Sequence, residues 1–180
     1  RLGEVLGKEI LPSAHKLAVD KHGNYVVQCI LTHGSAEDKR QIIEKITGNL
    51  LGYAKNQISS NVVERCFQVA SIGPDAEALG EARTALFKAM LGEPDDKKAP
   101  LQLLMHDIFG NYTVQAVIKC SRGADRDALR IRIESAREEL RGSVTGRHIL
   151  AALRQANEED GIAESKDGES AGRAKAAEGE

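Results

Sequence analysis

Up to about residue 157 the apolar positions of this chain fall three and four residues apart, and no strict alternation is sustained anywhere. That spacing predicts helices throughout. Val27, Ile30 and Leu31 form one apolar stripe, Val63, Cys66 and Phe67 a second, and Val114, Val117 and Ile118 a third. Two turn-forming stops, His22-Gly23 and His33-Gly34-Ser35, divide the first stretch into short helices over about 10–20, 24–32 and 36–47. The expected fold class is all-α.

The stripes belong to a phrase that recurs. Asn24-Tyr25-Val26-Val27-Gln28 is followed by Ser60-Asn61-Val62-Val63-Glu64 and by Asn111-Tyr112-Thr113-Val114-Gln115. A degraded copy, Gly146-Arg147-His148-Ile149-Leu150, closes the series. Successive copies start 36, 51 and 35 residues apart. Self-similarity at that period predicts stacked three-helix units, an α-solenoid with an armadillo-like superhelical form, because one such unit cannot bury its apolar face alone. The units are expected at about 10–48, 49–91 and 100–133, with an incomplete capping unit at 134–157. Residues 1–9 read as the last helix of a preceding, truncated unit, so the chain reads as a piece of a longer protein. The long middle spacing is assigned to an extended third helix over 74–90 and a solvated loop over 92–98.

Charge refines this picture. The chain carries 25 basic and 27 acidic residues, but the segment 156–180 alone holds eight acidic against three basic. Its Gly, Ala, Ser and Glu content predicts a disordered acidic tail over 158–180. The remainder is mildly basic, too weakly to announce a nucleic-acid binder by itself. No apolar run has the length of a membrane span and no signal peptide opens the chain. Cys29, Cys66 and Cys120 form no paired motif and are expected as small core residues in a reducing compartment. The five histidines show no metal-ligand spacing, so neither metal nor cofactor is expected. Gly168-Glu169-Ser170-Ala171-Gly172 matches a nucleophile-elbow pattern, but it lies in a polar tail and not between a strand and a helix.

The candidate chemistry lies on the polar side of the recurring helix. Residues four apart share a helix face, so Asn24 and Gln28 are expected to present two amides side by side, with Tyr25 beside them. Asn111, Gln115 and Tyr112 repeat the set; Ser60, Glu64 and Asn61 vary it. Edge-reading groups beside a flat group, repeated along one surface, suit single-stranded nucleic acid, whose splayed bases stack and are read at their edges. A carboxylate only accepts hydrogen bonds, so Glu64 suits guanine, with its adjacent N–H donors. Paired amides suit uracil. Asn24, Ser60 and Asn111 are also good helix caps; three copies in register, each with its partner four residues on, favour the reading role. Lys21, Arg65, Lys119 and Arg122 lie close enough to touch phosphates or to be plain solvated charge.

Gly23-Asn24-Tyr25-Val26-Val27-Gln28, Ser59-Ser60-Asn61-Val62-Val63-Glu64-Arg65-Cys66 and Gly110-Asn111-Tyr112-Thr113-Val114-Gln115 resemble the Pumilio (PUF) repeat family. The resemblance runs over about 2–157 and is to the last three repeats and the capping pseudo-repeat of a Pumilio homology domain. It implies that Asn24 and Gln28 read uracil with Tyr25 stacking, that Ser60 and Glu64 read guanine with Asn61 beside it, and that Asn111 and Gln115 read a second uracil with Tyr112 stacking. RNA runs antiparallel to the protein in this family, so the implied core is 5′-UGU-3′, in messenger RNA 3′ untranslated regions. Gly146 and Leu150 cannot read a base edge, so the fourth copy is expected to cap the stack.

The function expected is sequence-specific RNA binding that regulates messenger RNA translation or decay, without a catalytic step. It is expected in the cytoplasm, through recruited repressor or deadenylase partners, with no membrane or small-molecule substrate. Two alternatives stand beside it. One is an armadillo-type scaffold gripping an extended peptide, for which a Ser/Glu pair between two Asn/Gln pairs brings no gain. The other is a nucleolar relative acting in ribosomal RNA maturation, against which the well-formed triplets argue.

Overall fold

The computed structural model describes residues 6–94 and 96–161. A π-helical turn, Leu6–Ile10, runs straight into α1 (Leu11–Leu17), with Pro12 in its first turn, where a missing N–H costs nothing. Then follow α2 (Gly23–His33) and α3 (Ala36–Thr47), which complete the first unit. The second unit is α4 (Leu50–Ala54), α5 (Ser60–Ser71) and α6 (Gly80–Leu91). The third is α7 (Pro100–Met105), α8 (Gly110–Cys120) and α9 (Gly123–Ser135). Of the fourth, the described residues form α10 (Arg137–Arg141) and α11 (Val144–Glu159).

The units stack like with like, as an α-solenoid requires. The middle helices α2, α5, α8 and α11 form one row, each packed against the next, and α3, α6 and α9 form another. The first helices sit between the rows. One continuous core results, because the stripes read from the sequence are all buried: Val27, Ile30 and Leu31; Val63, Cys66 and Phe67; Val114, Val117 and Ile118. Phe67 of α5 meets Phe87 of α6 edge to face, with ring centroids 5.2 Å apart, an arrangement that the ring quadrupole favours. Local signals set the helix starts. Ser35 and Asp38 form a reciprocal capping box at α3, Pro100 opens α7, and the Ser143 hydroxyl accepts from the Gly146 N–H at 2.9 Å to cap α11.

Four details differ from the sequence reading. The third helix of the second unit begins at Gly80, not at 74. Residues 73–79 instead form turns, drawn to the first unit: the Asp75 carboxylate pairs with Lys39 at 2.5 Å, and the Arg40 guanidinium donates to the Ala78 carbonyl at 3.1 Å. The loop after α6 is exposed but anchored. The Arg132 guanidinium donates to the carbonyls of Leu91, Gly92, Glu93 and Pro94, which closes the end of α6 where Gly92 turns at φ +60°. Cys29 is exposed, because it follows Gln28 on the outer side of α2, whereas Cys66 and Cys120 are buried. Finally, α11 continues to Glu159, and Asp160 after it pairs with Arg126 at 2.8 Å. The rest of the expected acidic tail, from 162, lies outside the described residues, as do residues 1–5 of the expected preceding helix and Asp95 of the loop. Among the described residues no helix is long and apolar enough to cross a membrane.

Candidate nucleic-acid interface

The polar face of each middle helix is prepared by the turn before it. The Asp20 carboxylate accepts from the N–H groups of His22 (2.9 Å) and Gly23 (2.6 Å). Asn56 Oδ1 does the same for Ile58 (2.9 Å) and Ser59 (3.0 Å). Asp107 repeats it for Phe109 (3.0 Å) and Gly110 (2.9 Å). Each is an Asx turn that satisfies N–H groups at a helix start. Hydrogen bonds from the Gly23 and His22 N–H groups hold the Asp20 carboxyl below its ordinary pKa. Burial opposes the same effect at Asp107, but the N–H groups of Gly110 and Phe109 and the Lys55 ammonium, at 3.4 Å, outweigh it. Sequence reasoning passed over these three residues. Their signal is present all the same: an Asp or Asn stands four residues ahead of Asn24, Ser60 and Asn111.

The turns place the glycines that follow. A β-carbon on Gly23 would lie 2.9–3.1 Å from Leu17, and one on Gly110 would lie 2.5 Å from Leu104. The middle helix therefore starts hard against the helix before it. This close approach buries the next residue. Asn24 is 4% exposed and Asn111 2%. The Asn24 NH2 donates to the carbonyls of Asp20 (3.0 Å) and Lys21 (2.9 Å), and the Asn111 NH2 to those of Asp107 (2.9 Å) and Ile108 (3.0 Å). Their oxygens accept from Nε2 of Gln28 (2.9 Å) and of Gln115 (3.1 Å).

The two amides of each pair stand side by side but do not offer the same groups. Asn24 and Asn111 spend their donors on backbone carbonyls and retain only a spare lone pair, while Gln28 and Gln115, half-buried, offer one free N–H and one carbonyl oxygen outward. The stacking candidates stand where the sequence put them: Tyr25 is 69% exposed and Tyr112 59%. Asn61 is exposed too, its amide donating to the Ile58 carbonyl at 3.1 Å. Ser60 is buried and Glu64 half-buried.

Between α5 and α8 runs an open groove of about 520 Å³ that brings Glu64 together with Tyr112, Gln115, Arg65 and Lys119. Burial raises the Glu64 pKa, and the nearby Lys119 partly pulls it back. Arg122 is exposed but held at the end of α8, donating to the carbonyls of Lys119 (2.7 Å) and Ser121 (2.6 Å); of the basic candidates Arg65 and Lys119 are the two that line this groove. Asn24, Tyr25 and Gln28 lie outside it, on the neighbouring helix α2. The row thus offers a carboxylate between two oriented carboxamides, with a tyrosine beside each carboxamide. That is a pattern of acceptors, donors and flat faces fit to hold planar heterocycles in sequence. Among the described residues no group of three His, Cys, Asp or Glu could hold a metal ion.

Comparison with known proteins gives the pattern a family. The model for the Pumilio-family RNA binding repeat matches residues 13–47, 49–75 and 102–130, about half of the chain and one match per full unit. The chain is similar to Pumilio homolog 4 of Arabidopsis thaliana, 34% identical over 149 residues that make up 83% of this chain and 14% of the relative. It is similar to Fem-3 mRNA-binding factor 2 of Caenorhabditis elegans, 33% identical over 105 residues, 57% of this chain and 16% of that one. Among solved structures it resembles PUF-8 in complex with PBE-RNA, at 26% identity and a TM-score of 0.69, covering 86% of this chain and 41% of the other. The Puf3 RNA binding domain bound to a Cox17 RNA 3′ UTR recognition sequence shares the fold, at 23% identity and a TM-score of 0.64, over 84% of this chain and 43% of that one. The chain therefore spans under a quarter of these two curated relatives and under half of these two solved chains. With one family match on each full unit and a polar triplet at the same register at the head of each middle helix of those units, this chain belongs to the Pumilio family of RNA-binding repeats.

Proposed function

We propose that this chain binds single-stranded RNA in a sequence-specific manner and that its three full units read the core 5′-UGU-3′. The observation that carries the reading is the order of groups along the row of middle helices: Gln28, Glu64 and Gln115 at the same register on successive units. With RNA antiparallel to the chain, the Asn111 unit takes the 5′ uracil, Glu64 the guanine and the Asn24 unit the 3′ uracil. Tyr25, Asn61 and Tyr112 lie against the bases, and Ser60 stands beside Glu64 at the guanine. Support comes from the likeness to PUF-8, a protein solved in complex with RNA. The RNA in question is the 3′ untranslated region of messenger RNA, and binding regulates translation or decay without a catalytic step. The reading carries with it a cytoplasmic site of action and recruited repressor or deadenylase partners.

Three stacked bases contribute roughly 3–9 kcal/mol before ordering costs, while micromolar affinity needs about 8 kcal/mol. Binding by this chain alone is therefore expected to be micromolar or weaker; nanomolar affinity for a bare UGU would contradict the assignment. The test is a fluorescence-anisotropy titration with a short RNA containing UGUA, against the same RNA carrying ACAA. Preference for UGUA supports the reading. Equal binding by a folded, helical chain overturns it.

A further inference from the structure

The two units that carry glutamine share a chain of hydrogen bonds that the glutamate unit lacks. It starts at Asp20, whose carboxylate fixes the turn by holding the N–H groups of His22 and Gly23. The turn aims the carbonyls of Asp20 and Lys21 at Asn24, at 3.0 and 2.9 Å. Two acceptors at that end of the carboxamide can be met only by its NH2, so Oδ1 must face the other way. There it stands 2.9 Å from Gln28, and the atom that Gln28 turns toward an acceptor must be Nε2. Each link leaves the next no choice. Asp107, Asn111 and Gln115 repeat the chain link for link, ending at 3.1 Å.

Orientation matters because a carboxamide turned over exchanges donor for acceptor. Uracil and cytosine have the same size and stack alike. They differ at the ring nitrogen, which donates in uracil and accepts in cytosine. A glutamine that offers an acceptor there selects uracil; the same side chain reversed offers a donor and selects cytosine. A carboxylate has two equivalent oxygens, so reversing it changes nothing. Consistent with this, Asn56 still holds the turn of the second unit, but among the described residues Ser60 makes no bond to Glu64.

We infer that Asp20 and Asp107 are positioning residues for base choice: through Asn24 and Asn111 they set the carboxamides of Gln28 and Gln115 in the orientation that selects uracil over cytosine. The inference rests on the RNA reading above. Neither aspartate has to touch the base, which separates its role from that of a reading residue.

Two measurements on this chain test it. The first needs no RNA: in ¹⁵N-edited spectra the two Nε2 protons of Gln28 should be well separated in shift, one of them protected from exchange. Asp20→Ala should return their separation to that of a free carboxamide and remove the protection, and Asp20→Asn, which keeps the acceptor as Asn56 does, should not. The second is anisotropy with UGUA and with RNAs carrying cytosine at either uracil. Asp20→Ala should reduce the uracil-over-cytosine preference at the 3′ uracil by roughly five- to tenfold, the worth of about one hydrogen bond, and leave the 5′ uracil unchanged. Asp107→Ala should do the reverse. The inference is overturned if Asp20→Ala retains the Gln28 amide signature, if its 3′ preference equals that of the unaltered chain, or if both uracils lose preference equally. Should Asp20→Ala fail to fold, Asp107→Ala asks the same question at the 5′ base and at Gln115, with the same expected and overturning results. Absence of any UGUA preference in the unaltered chain would sink the RNA reading instead, and the amide spectra would still decide the hydrogen-bond chain.

Discussion

The third and fourth units pack alike and differ in everything that could read a base. Val114, Val117 and Ile118 of α8 correspond to Ile149, Ala152 and Leu153 of α11, and all six are buried. On the outer side Asn111 gives way to Gly146, Tyr112 to Arg147 and Gln115 to Leu150. The cause lies in the connection. Four residues, 106–109, join α7 to α8 and include the Asx turn of Asp107, whereas only 142–143 join α10 to α11. The shorter link pulls α11 so close that a β-carbon on Gly146 would lie 2.2 Å from the Leu140 carbonyl oxygen. An asparagine cannot occupy that place. Stacking and reading are therefore separable: the apolar stripe keeps a unit in the solenoid, and the length of one turn decides whether its polar face can be armed.

Four experiments would break or sharpen this contrast. The largest effect is expected from Gly146→Asn, which writes the asparagine of the first and third units into the fourth. The clash is with backbone, not with a yielding side-chain tip, so the chain should lose about 3 kcal/mol in urea denaturation. A loss below ~1 kcal/mol would show that the link can relax and that closeness is not what disarms the unit. Next is Arg126→Ala. Arg126 is buried, donates to Ser121 Oγ (3.0 Å) and to the Ser121 carbonyl (2.8 Å), and ties α9 to Asp160 beyond α11. Because Asp160 is partly exposed and can return to water, a loss of about 2 kcal/mol is expected, short of the 3–5 kcal/mol of a fully buried pair. The loss should be absent from a chain ending before Asp160 if the ion pair is its source.

Glu64→Gln touches the reading side alone. It should lower the preference for guanine at the middle base about tenfold, the scale of one charge-assisted hydrogen bond. The melting temperature should hold or rise, since burial already disfavours the Glu64 charge. An unchanged guanine preference in a base-substitution panel would remove Glu64 from the site. The smallest effect is its pH counterpart. Burial raises the Glu64 pKa in the fold, so the folded chain holds that proton more tightly than the unfolded chain, whose glutamates titrate near ~4.3. Acidification toward that region costs no stability from this group, yet it turns one of the two acceptor oxygens into a donor. Guanine preference should thus decline between pH 7 and about pH 4.5 in the unaltered chain and stay flat in Glu64→Gln. Asp20 and Asp107 run the other way. Their lowered pKa values keep their contribution intact above ~3.9 and withdraw it only as the pH falls through the lowered values, below the window of the guanine test.

Much of the site was legible because it repeats. A lone Asn24 is an ordinary helix-start residue; Asn24 with Gln28, Ser60 with Glu64 and Asn111 with Gln115 in one register are a pattern. What stayed illegible depended on partners far away in sequence. Gly73, at φ +128°, starts the turns of residues 73–79, but their ties to Lys39 and Arg40 of the preceding unit are not written in the local sequence. Cys29 looks like any small apolar residue until the rotation of α2 puts it outside. Asn24 and Asn111 look like readers because their type can read, and only the turn carbonyls show where their donors go.

By itself, then, the sequence determined the helices, the repeat, the row of apolar stripes and the residue types on the opposite face, since periodicity and side-chain chemistry are local properties. The tertiary structure decided which polar groups remain free. That follows from how closely each middle helix approaches the helix before it, a distance set by the connecting turn and by the glycine or serine that permits contact. It turned Asn24 and Asn111 inward, fixed Gln28 and Gln115 through them, half-buried Glu64 beside Lys119, and left the fourth unit with packing but nothing to read.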